Sequence, residues 1–475
     1  MTGRSAYVAA VDLGATSGRV IVGRVGPGEL ELHQVARFPN DPVRTPDGLH
    51  WNLLELYRQI LAGLTRADRE FSGEVQSLGI DSWAVDYALL RDGRVLGLPY
   101  HYRDERTARG VASVHQRVGA PDLFRRNGLQ HLPFNTLFQL AAEDGTLDVA
   151  DTMLLVPDLL THWLTGAVVA ERTNASTTGL LDVRTREWDT RLAGDLDLPV
   201  GLLPPLVDPG TRVGELSGDP RSVIGRPIAV TAVGSHDTAS AVVALPTTER
   251  DVAFVSCGTW GLVGLELDHP ILSDDARRQG FTNEGGVDDR YRFLHNVMGL
   301  WVLTETIRTW ERTPGGVASL PELLQEAAAV PGPHPVFDVD DPCFLPPGDM
   351  PTRISEWFAR RDVEAPSSRA AIVRSIVESL ADAFARTAHE ASRLASRSIS
   401  AIHVVGGGSQ NALLCQATAD RAGLPVLAGP VEATAIGNIL VQARATGVVS
   451  GGLEDLRSLV TRTFPTTRYE PRSNR

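Results

Sequence analysis

Apolar positions along this chain fall into short unbroken runs bounded by glycine and aspartate, and two of these run–turn–run units are alike. In the first, Tyr7 to Val11 suit a buried strand, and Val20 to Val22 suit its antiparallel partner. Between them lie Asp12, Gly14 and the small-residue loop Ala15-Thr16-Ser17-Gly18, followed by Arg19. In the second, Val252 to Val255 is the apolar run, Ser256-Cys257-Gly258-Thr259 the turn, and Gly261 to Leu267 the returning strand. Gly258 answers Gly14. Recurrence of one unit about halfway along a chain predicts a duplicated architecture, two lobes facing each other across a cleft.

The other runs alternate between strand and helix periods. Glu29 to Phe38 suits a third strand of the opening meander, and Asn52-Leu53-Leu54-Glu55 resembles a capping box opening an amphipathic helix that ends near Leu64. Val75 to Ile80 reads as a buried strand running into Asp81-Ser82-Trp83-Ala84-Val85-Asp86. The pair Tyr87 to Leu90 and Arg94 to Leu98 is joined by Asp92-Gly93, a strong hairpin signal. Ile228 to Val233 is followed by Gly234-Ser235-His236-Asp237-Thr238 and a small-residue helix to Leu245. Near the end, Ile402 to Val405 leads into Gly406-Gly407-Gly408-Ser409-Gln410-Asn411 and a helix to Arg421, then a strand over Leu424 to Leu427 and a last helix opening at Glu432. The alternation predicts an α/β fold, with lobes over residues 1–245 and 246–475.

Composition narrows the class. At 475 residues, 43% hydrophobic and 22% charged, the chain has the make-up of a globular protein with room for two cores. A net charge of −13 without a Lys/Arg block disfavours nucleic acid or an anionic membrane as partner. An anionic ligand must then be held locally, by amides, Mg2+ and a few arginines. Neither a long apolar span nor a signal-peptide layout is visible, and a cytoplasmic location is expected. Cys257, Cys343 and Cys415 match no metal-ligand spacing and read as reduced thiols.

Candidate chemistry gathers at the turns. Glycines let backbone N–H groups approach a phosphate, and Asp12 can hold Mg2+ directly or through water; the same residues also make an ordinary hairpin with a capping Asp. Thr259 places a hydroxyl in the matching turn. Asp237, at a strand-to-helix junction, reads either as an N-cap or as a base taking the proton of a hydroxyl that attacks a γ-phosphate. The cluster Trp83, Asp86, His101, Arg103, Asp104 and Arg106 fits a sugar site, where aromatic faces cover the ring and polar groups bond its hydroxyls. Its alternative is a surface ion-pair cluster beside core tryptophans. Gly406 to Gly408 permit close approach of a flat base or ribose, and with two phosphate turns they point to ATP.

At these residues the chain resembles the FGGY carbohydrate kinases of the actin-like ATPase superfold and, within them, the rhamnulokinase branch. The resemblance rests on Val11 to Arg19, Gly79 to Tyr87, Tyr102 to Thr107, Gly234 to Thr238, Gly258 to Gly261, Asn296 to Trp301 and Gly406 to Asn411. It implies two ribonuclease-H-like lobes flanking a deep cleft, ATP and Mg2+ as cofactors, and transfer to the 1-hydroxyl of L-rhamnulose. Asp237 becomes the general base, with Mg2+ near Asp12 and Asp237. Ala15 to Arg19 is similar to the family's phosphate loop, and His236, Asp237 and Thr238 to its sugar-binding and catalytic loop. Thr259, Asn296 and Gly407 resemble nucleotide contacts. Two positions depart from the branch pattern: Ala84 stands where a sugar-contacting glycine is common, and Thr304 where a glutamine often lies near the nucleotide. L-Fuculose, L-ribulose and D-xylulose remain alternative acceptors. The superfold also serves filament and chaperone ATPases that need no acceptor. Only small-molecule partners, a ketose and ATP, are implied, with no obligate protein partner.

Overall fold

The computed structural model describes residues 5–312 and 319–472. It divides into two compact units: 1–248 with 266–293 and 433–463, and 249–265 with 294–432 and 464–475. The boundary expected at residue 245 lies close to the first unit's opening segment, but two later segments also pack with that unit.

In the first unit the strands Ala6–Leu13, Ser17–Gly26 and Glu29–Pro39 form the expected antiparallel meander. Val75–Ser82 lies parallel to the first strand, in a register that sets Val11 beside Ile80 and Asp12 beside Asp81. Ala229–Thr231 adds a further parallel strand and Arg212–Glu215 an antiparallel edge. Val8 to Val11 have no exposed surface because helices cover both faces of the sheet. On one face packs Leu53–Glu70, where a Cβ on Gly63 would stand 2.6 Å from Val20. On the other packs Ala433–Ala445, whose Gly437 would carry a Cβ only 1.8 Å from Ser240 O. That fit explains why a segment distant in sequence belongs here: the small-residue face of the last-but-one helix has its partners on the first strand, on Val75–Ser82 and on the helix Asp237–Val243.

Some elements differ in extent from their sequence reading. The Asn52 side chain caps its helix through Glu55 N, but the Glu55 carboxylate turns to Arg58 and Gln59, and the helix runs past Leu64 because Leu64 and Ala67 continue its buried stripe. The Asp92-Gly93 turn has both residues at positive φ, as a two-residue hairpin requires. Its second strand stops at Val95, and Tyr87–Arg91 takes Thr152–Leu155 as its other neighbour. The helix opening at residue 433 is followed by another, Leu453–Thr463.

The second unit repeats the scheme. Val252–Cys257 and Gly261–Leu267 form the hairpin, Ala401–Val405 lies parallel to its first strand, and Val426–Ala428 parallel to that. Thr467–Tyr469 closes the edge. Hairpin, parallel strand, parallel strand is the order in both units, the duplication expected from the repeated turn.

Candidate active site

The first turn is closed by its own backbone. Gly14 N donates to Ser17 O at 2.9 Å, Asn40 N to Thr16 O at 3.1 Å, and Asn40 Nδ2 to Gly14 O at 2.8 Å. In the second unit Gly258 N likewise donates to Trp260 O at 2.8 Å, and that turn is fastened by Leu300 N and Trp301 N on Gly258 O and Thr259 O. The two glycine N–H groups expected to meet phosphate therefore serve their turns. The backbone N–H groups of the neighbouring residues Ala15, Thr16 and Thr259 are given no such role by these turn-closing bonds.

Beside the first turn stand two carboxylates, Asp12 and Asp81. Arg19 Nε lies 3.5 Å from Asp12 Oδ2. Asp81, adjacent across the strand pair, is fully buried; its Oδ2 accepts from Asn438 Nδ2 at 2.5 Å, and its Oδ1 has no hydrogen-bond partner among the described residues. Burial, then the Asp12 charge and more weakly that of Asp237, push Asp81 well above the ordinary carboxylate range. Little in the sequence marks Asp81. An Asp ending a buried strand was the available signal, and only the parallel register brings it to Asp12.

The Gly234 to Thr238 loop is fixed from beneath. Glu171 Oε2 accepts from Ser235 N at 3.0 Å and Ser235 Oγ at 2.8 Å, while Ser82 N donates to Ser235 O at 2.9 Å. Asp237 opens its helix with its side chain 32% exposed, more open than its buried neighbours His236 and Thr238. Its Oδ1 accepts from Thr238 Oγ1 at 3.2 Å and lies 3.4 Å from His236 Nε2. The Thr238 hydroxyl, expected to contact sugar, thus serves Asp237. His236 Nδ1 faces Arg292 and Glu284, a buried pair at 2.9 Å. Burial opposes ionisation of Glu284, yet the Arg292 charge holds it below the ordinary range.

From Ser82, bridged to His236, the chain passes into the aromatic cluster. Trp83 stacks on Trp51 at 3.9 Å, Trp51 on His101 at 4.1 Å, and His101 on Tyr102 at 4.5 Å. Asp86 is the hub. Its Oδ2 accepts from Trp51 Nε1, Trp83 Nε1 and Tyr102 N, and its Oδ1 from Gln139 Nε2. Asp86 was expected to bond a sugar hydroxyl; buried with four donors, it holds the rings instead, and burial raises its pKa to about 7. Burial and the nearby Arg103 charge push His101 down to about 3, so its ring is neutral, with Nδ1 accepting from Arg103 N. Arg103 lies over Tyr102, whereas Arg106 turns away to Glu143 and the Tyr100 face. Trp51, central to the ladder, is silent in the sequence because nothing local marks a tryptophan before a helix cap. Ala84 and Val85 are the half-buried residues of the segment. Val85 has φ +68°, strained for a β-branched residue, and its carbonyl is held by Thr136 Oγ1 at 2.6 Å.

In the second unit the three consecutive glycines separate by environment. A Cβ on Gly406 would stand 3.0 Å from Cys257 O and one on Gly408 2.1 Å from Cys257 Sγ, whereas one on Gly407 would meet nothing within 4 Å. Gly406 and Gly408 seat the loop on the strand end, and Gly407 faces open space. Burial raises the Cys257 thiol beyond the titratable range and that of Cys415 to about 12, consistent with packing roles. Asn296 and Thr304 are half-buried in the same unit, on the strand Tyr291–Val297 and the helix Trp301–Glu311.

Residues 7–244 match the N-terminal domain, and residues 253–446 the C-terminal domain, of the FGGY family of carbohydrate kinases. The chain is an FGGY carbohydrate kinase. It is 39% identical to a rhamnulokinase of Bacteroides thetaiotaomicron, over 97% of this chain and 95% of the relative. It is 42% identical to one from Pectobacterium carotovorum, over 98% and 93%. Among solved structures, a xylulose kinase from Lactobacillus acidophilus matches with TM-score 0.77 at 14% identity over 98% of this chain and 94% of that one. Plasmodium falciparum glycerol kinase with ADP matches at 0.75, also at 14% identity over 98% and 94%. The fold is therefore that of the FGGY sugar kinases, as the duplicated units suggested, and the protein is a phosphotransferase. The acceptor-free filament and chaperone readings fall away. No helix among the described residues is long and apolar enough to cross a membrane.

Proposed function

We propose that this kinase transfers the γ-phosphoryl group of ATP to the 1-hydroxyl of L-rhamnulose, with the first unit binding the ketose and the second the nucleotide. The observation that carries the reaction is Asp237, the half-exposed carboxylate of a loop otherwise buried and pinned through Ser235 and Thr238. The curated relatives carry the choice of ketose. A cytoplasmic location fits such a reaction, which draws on ATP and a small sugar.

The residues suit both cofactors. Among the described residues no group of three or more His, Cys, Asp or Glu side chains forms a ready metal cage. Mg2+ characteristically uses one or two carboxylates with water and phosphate oxygens, and Asp12 with the unpartnered Asp81 Oδ1 beside it fits that mode. Asp237 is the remaining candidate ligand. Gly407 and Thr259 fit the nucleotide, with Asn296 and Thr304 as further contacts. Bound there, Mg-ATP would supply the phosphoryl group and the metal charge that offsets it. Asp237 accepts the hydroxyl proton, Arg19 and the Ala15 to Gly18 turn hold phosphate oxygens, and the neutral His101 with Arg103 and Trp83 hold the ketose.

A coupled ADP-release assay over L-rhamnulose, L-fuculose, L-ribulose and D-xylulose tests the assignment. L-Rhamnulose should give the highest kcat/KM. A different best ketose, with the expected order restored by Ala84→Gly, would keep the kinase and remove this substrate.

A further inference from the structure

Arg292 and Glu284 lie in no motif connected with the reaction, yet they meet its loop. Glu284 sits on the strand Thr282–Gly285 and Arg292 on Tyr291–Val297, within the 266–293 segment that packs with the first unit. Arg292 is fully buried, its Nε donating to Gly285 O at 2.9 Å. Gly285 N is in turn fixed by Ser176 Oγ at 2.7 Å. The guanidinium is thereby aimed at His236, with Nη1 at 3.2 Å and Nη2 at 3.1 Å from Nδ1.

These contacts bear on which ring nitrogen carries the proton. A guanidinium only donates, so Nδ1, which receives its N–H groups, must offer a lone pair. Glu284 Oε2 lies 2.9 Å from Arg292 Nη1 and 3.2 Å from Nδ1, so the cation is its nearer partner. It clamps the guanidinium by charge rather than taking a proton from the ring. The histidine hydrogen is then on Nε2, the nitrogen 3.4 Å from Asp237 Oδ1. Thr238 Oγ1 donates to the same oxygen at 3.2 Å, which leaves Oδ2 for the substrate proton.

We propose that Arg292 and Glu284 are positioning residues, which fix the His236 ring in the Nε2–H form and so orient Asp237 for proton transfer. The catalytic half of this inference rests on the function proposed above. Outer partners that orient a metal-bound histidine are worth about 10–100-fold in activity, and a loss of that order is expected here because the freed ring can present the wrong nitrogen.

Nitrogen NMR on the full-length protein labelled with 15N-histidine reads the ring directly, the His236 signals being assigned by their loss in His236→Gln. Wild type should show an unprotonated Nδ1 and a protonated Nε2; a protonated Nδ1 overturns the proposal with no variant needed. In Arg292→Met the ring should lose that single form, and kcat should fall about 10–100-fold with a smaller change in sugar KM. Arg292→Lys, which restores one donor, should recover the Nε2–H signal and most of kcat. An unchanged ring and kcat in Arg292→Met would also overturn the proposal. If Arg292→Met does not fold, the wild-type and Arg292→Lys spectra decide. Failure of wild type on every ketose would instead remove the substrate assignment and leave the ring result standing.

Discussion

The two hairpins share a backbone and differ in charge. In the first, Asp12 stands beside Asp81 on the parallel neighbour, with Arg19 opposite on the returning strand. In the second, the matching position is Ser256, set beside Val405, and the strand ends in Cys257 beneath Gly406 and Gly408. One scaffold thus offers an acidic site that a cation and phosphate can complete, and a neutral surface shaped by glycines against a thiol. Both turns share the backbone hydrogen bond from the glycine N–H to a carbonyl two or three residues on, which asks nothing of the side chains at the strand end. Chemistry could then diverge at the strand ends, where side chains emerge.

The largest expected effect belongs to the first unit. Asp237→Asn should lower kcat by about 10²–10⁴, the range for losing a general base, while ATP binding changes little. Near-normal turnover would remove the base from Asp237 and with it the division of chemistry between the units.

Buried carboxylates should also make the first unit the pH-sensitive one. Asp86 has its pKa raised to about 7 by burial, so between the ordinary carboxylate range and that value the folded state keeps a proton that the unfolded chain has released. Stability contributed by Asp86 is therefore full at low pH and lost as pH rises toward 7. Urea unfolding of wild type and Asp86→Asn across this window should show wild type losing ground, up to about 1.4 kcal/mol per pH unit. Parallel curves would mean that the four hydrogen bonds keep Asp86 ionised.

Asp12→Ala should weaken the Mg2+ dependence and lower activity by about 10–100-fold, a usual range for disturbing a metal's surroundings, without unfolding the chain. The decisive measurement is the activation curve against Mg2+. Superposition on that of wild type would leave the acidic site without its assigned role.

The smallest effects sharpen the other side of the comparison. Gly408→Ala drives a methyl into Cys257 Sγ and should destabilise by roughly 1–3 kcal/mol. Gly407→Ala should leave stability nearly unchanged and raise the KM for ATP. Cys257→Ala should suppress part of the Gly408→Ala loss, because it removes the sulfur that the methyl meets. Equal melting temperatures for Gly407→Ala and Gly408→Ala would show that the loop does not rest on Cys257.

Sequence by itself determined the local elements: both hairpins, the Asp92-Gly93 turn, the Asn52 cap and the strand that delivers Asp237 to a helix start. Each depends on neighbours within a few residues, through side-chain period, positive φ or a cap. Only the tertiary structure decided which polar groups remain available. Asp86 and Thr238 have the composition of sugar ligands, but distant donors and a neighbouring carboxylate engage them. Asp81, Trp51, Glu284 and Arg292 gain their importance from partners that strand register and packing bring close. The same holds for the helix Ala433–Ala445, which joins the first unit because Gly437 lets it approach Ser240. A hydrogen bond has a reach of about 3 Å, so the groups that satisfy a buried carboxylate are fixed by the folded packing and leave no periodic trace along the chain.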